Sequence, residues 1–269
     1  MRSLNRIEIV VLALVGMVLL ALVAPWFLET REKSRLHTCT DNLRQIRVGL
    51  ENDQQFQKKM FPFGTVPVRD LPPEKRLAWT VPVSRLIPPG GKSTFDFSEG
   101  WQSETNRRPL LNGSPFHRNP RFHCPKDETD SPPDKLQYSS YVGITGIGKD
   151  SLTSTALSPS NGLWGYARRT RFRDITAGTG HTLCILETSR NNGPWTAGGP
   201  FTLRPLLPEE TPFIGPGRQF GGHHVEGCVT LFADGSGRTL SNRTDAAVFA
   251  SMCTIAREKP PAKTPATQP

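Results

Sequence analysis

One stretch limits this chain before anything else: from Ile9 to Leu28 no side chain carries a charge. As a helix rising about 1.5 Å per residue, such a run covers roughly the 30 Å hydrocarbon core of a bilayer. Arg2, Arg6 and Glu8 precede it, and Glu29, Arg31, Glu32, Lys33 and Arg35 follow at once. The segments therefore divide into a basic leader (1–8), a transmembrane helix (9–28) and whatever the span carries. Membrane lipid is the first expected partner. The leader has no acid before Glu8, which favours an N-terminus inside a single-pass protein of the inner, cytoplasmic membrane, with its domain extracytoplasmic.

After the span, Leu36, Cys39, Leu43, Ile46 and Leu50 recur at spacings of three and four residues, the stripe of an amphipathic helix extending over 29–58. Arg35, Asp41, Asn42, Arg44, Gln45 and Arg47 fall between them and are expected to face water. Beyond it, 59–256 is long enough to bury one core. Gly (24) and Pro (25) are abundant and hydrophobic residues make up only 36%, so a loop-rich α+β domain is expected over a helical bundle. The architecture is then a long N-terminal helix packed on an antiparallel sheet. Between Met60 and Pro120 the prolines forbid a long helix and point to strands and loops, with Trp79, Phe95, Phe97 and Trp101 packing inside. Gly227 to Ala233 and Gly237 to Ser241 read as a hairpin. Asp245 to Ile255 reads as a closing helix capped by Asn242 or Thr244, and 257–269 as a disordered tail.

Three readings of the N-terminus stay open: a cleaved secretory signal, a plain anchor, and a pilin-like anchor. The third takes up Glu8, since an acid at the edge of a span needs a partner or a route to water. Ser3 to Val11, S-L-N-R-I-E-I-V-V, resembles the type IV prepilin signature, with Glu8 at its glutamate, and Pro25 falls where pilin helices often carry a proline. Ser3 stands in place of the signature's glycine, and Arg6 adds a charge. The resemblance implies cleavage by a prepilin peptidase between Ser3 and Leu4, methylation of the new terminus at Leu4, and self-association through the helix with Glu8 in register.

A second resemblance rests on F-H-C-P-K-D (Phe122 to Asp127), Y-S-S-Y-V-G (Tyr138 to Gly143), I-T-A-G-T-G-H-T-L-C-I-L-E (Ile175 to Glu187), G-P-W-T-A-G (Gly193 to Gly198) and H-V-E-G-C-V-T-L-F-A-D-G-S from His224. In this order they resemble the planctomycete prepilin-like proteins carrying the domain of unknown function numbered 1559. His224, Asp234 and Gly235 match that family's His, nine residues, Asp-Gly. The resemblance implies an architecture and a compartment without an activity.

The chemistry is sparse. Asp234 is expected to bond turn amides and Gly235 to take a positive φ, while a His224–Asp234 pair for proton transfer or metal binding is the sharper alternative. Cys39, Cys124, Cys184, Cys228 and Cys253 show no zinc-type spacing, so no metal site is expected; one or two disulfides are permitted, with a thiol left over. His123, Cys124, His223 and His224 as a cluster across the fold is a weaker option. No nucleophile elbow, phosphate loop or dinucleotide loop occurs, so neither catalytic residues nor cofactors are assigned and the protein is expected not to be an enzyme. The net charge of +9 is scattered, which makes nucleic acid a poor candidate partner. Arg169, Arg171 and Arg173 would share one face of a strand and offer a polyanion contact. Two functions compete: a subunit of a surface fibre or of a type II secretion-like pseudopilus, and an anchored module that binds a glycan, cation or peptide without assembling.

Overall fold

A computed structural model of the chain describes residues 5–56, 59–88, 95–107, 119–127 and 137–256. Ser3, Leu4 and the expected tail at 257–269 lie outside the described residues. The first element is one unbroken helix, α1 (Arg6–Phe56, 51 residues), long and apolar enough near its start to cross a membrane. At its first turn the Asn5 amide donates to Glu8 Oε2 at 2.8 Å. This is the carboxylate half of a capping box, so Glu8 has a local partner before any neighbouring subunit is invoked. Pro25 lies inside the helix, where it has no N–H to donate.

The second half of α1 buries the stripe its periodicity predicts: Cys39, Leu43, Ile46 and Leu50 are in the core, and Leu36 is half-buried at its margin. Asn42 departs from the expectation that it faces water. It is buried, and its amide donates to the His123 carbonyl at 2.9 Å and to Tyr141 Oη at 3.5 Å. At Gly49 a Cβ would stand 2.8 Å from the side chains of Val83 and Ile87, so only glycine lets the next helix cross this closely. That helix, α2 (Thr80–Arg85), corrects the expectation of strands here. Pro82 sits in its first turn, where an amide has no partner within the helix, so the proline does not oppose it. Elsewhere among the described residues up to Arg107, isolated bridges join Thr65 to Ala78 and Leu77 to Ala197, Pro73–Lys75 makes a 3-10 turn, and the short α3 (Glu104–Arg107) follows. Trp79 and Phe95 are buried as expected, with Phe97 and Trp101 packed at the core's edge.

The sheet comprises β1 (Tyr141–Ile147), β2 (Leu183–Glu187), β3 (Leu203–Leu206), β4 (Gly227–Phe232) and β5 (Gly237–Ser241), with α4 (Asp150–Thr153) after β1. Their order is β3-β1-β2-β4-β5. The expected all-antiparallel sheet is corrected at one edge: β3 runs parallel to β1, because the chain leaving β2 crosses to the far side of β1 before it re-enters. Both faces are covered. Tyr141, Cys184, Ile185, Val229 and Leu231 pack towards α1. Val142, Leu183, Leu186, Cys228 and Phe232 pack on the other side with Phe213, Phe220 and Phe249. Strands covered on two faces need apolar residues on both, which is why β2 and β4 read as continuous hydrophobic runs. The last helix, α5 (Ala246–Met252), is capped by Asp245, whose Oδ1 accepts from the amides of Ala247 and Val248, in place of Asn242 or Thr244.

Candidate functional site

Where α1 meets the sheet, four elements bring one chemical group each to a single point. Cys39 comes from the buried face of α1, and Cys124 follows the turn Pro120–Phe122. Glu187 ends β2 directly opposite Tyr141 of β1, and His224 lies just ahead of β4. All four are buried, and their ligating atoms lie within 4.8 Å of one another. Cys39 Sγ is 2.7 Å from Cys124 Sγ, which is 3.7 Å from His224 Nε2; the same nitrogen is 3.4 Å from Glu187 Oε1. The other ring nitrogen, Nδ1, faces Glu32 Oε1 at 3.1 Å, and Lys126 Nζ holds that carboxylate's second oxygen at 2.8 Å. Glu32 and Cys39, seven residues apart, lie on one face of α1 two turns from each other.

Electrostatics define what these groups can do. Burial alone would lower the pKa of His224, but Cys124 and Glu187 against its ring outweigh that and hold it at about 10. The bond to Cys39 and burial push the Cys124 thiol far up, so it is no ready nucleophile. Burial raises Glu32 as well, yet its bonds to Lys126 and His224 leave it below the ordinary carboxylate value. Glu187 is the anomaly. It is fully buried, and apart from His224 Nε2 at 3.4 Å neither of its oxygens has a partner among the described residues.

The neighbouring shell is built from the same short motifs that stand out in the sequence. Ser140 Oγ accepts from the Cys124 amide at 2.9 Å and donates to Asp127 at 2.9 Å. Phe122 stacks on Trp195 with ring centroids 5.5 Å apart. Tyr141 Oη donates to the Cys39 carbonyl at 3.3 Å. F-H-C-P-K-D therefore supplies Cys124 and Lys126, I-T-A-G-T-G-H-T-L-C-I-L-E ends on Glu187, and the last motif begins with His224. The model of the family described as a protein of unknown function (DUF1559) matches residues 29–206. The chain belongs to this family. In this member the matched region holds Glu32, Cys39, Cys124 and Glu187, and it leaves His224 and Asp234 beyond its end. No curated protein and no solved structure matches the chain.

Other residues singled out by the sequence are placed elsewhere. Asp234 and Gly235 form the β4–β5 turn: Asp234 Oδ1 accepts from the Ser236 amide at 2.8 Å, and Gly235 has a φ of +83° with its α-carbon against Arg47. That is the structural role expected of them. The sharper alternative, a His224–Asp234 pair, is not formed, since the six residues of β4 separate the two by roughly 20 Å at about 3.3 Å per residue. The Asp234 turn instead borders a cleft of about 220 Å³ together with Arg47, Glu51 and Phe172.

The arginine strip also dissolves. The segment is not a strand beyond an isolated bridge at Arg171, and Phe172–Asp174 turns as a 3-10 helix. Arg169 is half-buried, donating to the Phe61 carbonyl at 3.1 Å over the Phe63 ring, while Arg171 and Arg173 remain exposed. His223 Nε2 faces the Thr188 carbonyl at 3.0 Å and Asp127 Oδ2 at 3.6 Å, and is not one of the four grouped residues. Local cysteine spacing, from which no metal site is expected, does not register this grouping. Cys39, Cys124, Glu187 and His224 are too far apart in sequence for spacing to reveal them, and only the order of the motifs carried a signal.

Proposed function

We propose that this protein is a non-enzymatic, pilin-like membrane protein: α1 is stored in the cytoplasmic membrane with its N-terminus inside, packs against copies of itself in a surface fibre or secretion-type pseudopilus, and displays the α+β domain outside. One observation carries this reading. A single helix leaves its apolar first half, including Leu14, Leu19 and Phe27, exposed, and buries a stripe of its second half in the domain. Exposed apolar surface on that scale marks contact with lipid or with another copy. The separation of His224 from Asp234 supports the non-enzymatic part.

Mass analysis of the mature N-terminus tests it. A chain beginning at N-methylated Leu4 is the expected result. Intact Met1 at full occupancy overturns the fibre subunit and leaves an anchored domain. The second reading, an anchored ligand-binding module, draws on a cleft of about 260 Å³ bordered by Lys149, Arg190 and Arg204. Leu14→Cys crosslinking separates the two: ladders of helix-linked copies favour assembly, and monomers favour the module.

A further inference from the structure

We propose that Cys39, Cys124, Glu187 and His224 bind one zinc ion, which fastens α1 to the sheet. The donor set is the first argument. Two thiolates, an imidazole and a carboxylate suit a borderline-soft divalent ion in tetrahedral coordination, and four protein ligands in a buried setting leave no open position, the pattern of structural zinc.

The second argument is Glu187. The buried Glu187 carboxylate has His224 Nε2 at 3.4 Å and no other partner among the described residues, and both thiols stand with that nitrogen around the point it faces, where a divalent ion would meet all four. The third is the far side of the imidazole. A metal-bound histidine commonly passes its other N–H to a carboxylate, which fixes the ring and its tautomer. His224 has that arrangement: Nε2 faces the cluster, Nδ1 faces Glu32, and Lys126 anchors Glu32 in turn.

Two thiolates each about 2.3 Å from a tetrahedral zinc stand about 3.8 Å apart. Binding therefore spreads Cys39 and Cys124 from their present 2.7 Å by about 1 Å. The competing fate of the pair is a disulfide, which would leave the Glu187 charge to His224 alone. The proposal stands whether or not α1 assembles into fibres.

The test uses the full-length protein in detergent, purified reduced and without chelator. Elemental analysis should find one zinc per chain, and cobalt exchange should give a sulfur-to-cobalt charge-transfer band with the visible bands of a tetrahedral site. Glu187→Gln and His224→Ala should lose the metal, while Cys253→Ala, at a buried thiol outside the cluster, should keep it. Glu32→Gln should bind zinc on the order of 10–100-fold more weakly. If the ligand variants fail to fold, the wild type still decides: chelation should lower its melting temperature and added zinc should restore it. A reduced wild type that takes up no zinc at micromolar free ion overturns the proposal. So does a native Cys39–Cys124 disulfide whose reduction creates no zinc binding, or zinc retained in both ligand variants.

Discussion

The two halves of α1 are one helix under two sets of rules. In the first half apolar residues surround the axis, and Leu14 and Leu19 remain 52% and 56% exposed. In the second half they keep to one stripe, and Leu43 and Ile46 are closed to solvent at 1% and 0%. The same side chain therefore does different work at different positions. A leucine in the stripe holds a core together; a leucine in the first half is exposed among the described residues and suits a lipid environment.

The largest break in that contrast comes from a matched pair. Leu43→Ala should lower the domain's stability by about 2–5 kcal/mol in chemical denaturation, whereas Leu19→Ala should change it by less than about 0.5 kcal/mol. Leu19→Lys reverses the emphasis. It should oppose membrane insertion by about 2.5–3.5 kcal/mol, read from the membrane-bound fraction, with the domain's denaturation midpoint unchanged.

A smaller effect lies at the end of the stripe, where Asp53 is buried with Oδ2 unbonded. Burial raises its pKa, against a weaker opposing pull from Arg169. The folded state then holds this proton more tightly than the unfolded chain, so stability falls as pH climbs from the ordinary carboxylate value through the raised one, and stays lower above it. Asp53→Asn should stabilise the domain by about 1 kcal/mol at neutral pH, with the gain vanishing in acid. The smallest effect is at Glu8. Glu8→Gln keeps an acceptor for the Asn5 amide and removes the charge, so helix content should hold within about 0.5 kcal/mol. A loss of helix crosslinking in that variant would show that the charge serves neighbouring copies in addition to the local cap.

Legibility in the sequence followed the same division. Period located the stripe from Leu36 to Leu50, and an apolar run followed by the Asp234-Gly235 turn located the β4–β5 hairpin, because each is a pattern of near neighbours along the chain. Asn42 misled, since a polar residue is buried only when distant groups such as the His123 carbonyl and Tyr141 Oη are ready for it. The parallel edge at β3 and the short α2 were equally hidden, being set by where loops return. Cys39 and His224 are 185 residues apart and share no local pattern; their meeting is a property of the sheet. Even so, motif order pointed to three of the four cluster residues without stating that they touch.

The uninterrupted course of α1 has a mechanical consequence. Cys39 lies eleven residues past Leu28, roughly 16 Å along a helix axis, with no linker between. If Ile9 to Leu28 sits in a bilayer, the domain behaves as the head of a lever and not as a tethered float. Its height and bearing above the surface are those of the helix, and any tilt or rotation of the span is delivered to the sheet at full stroke.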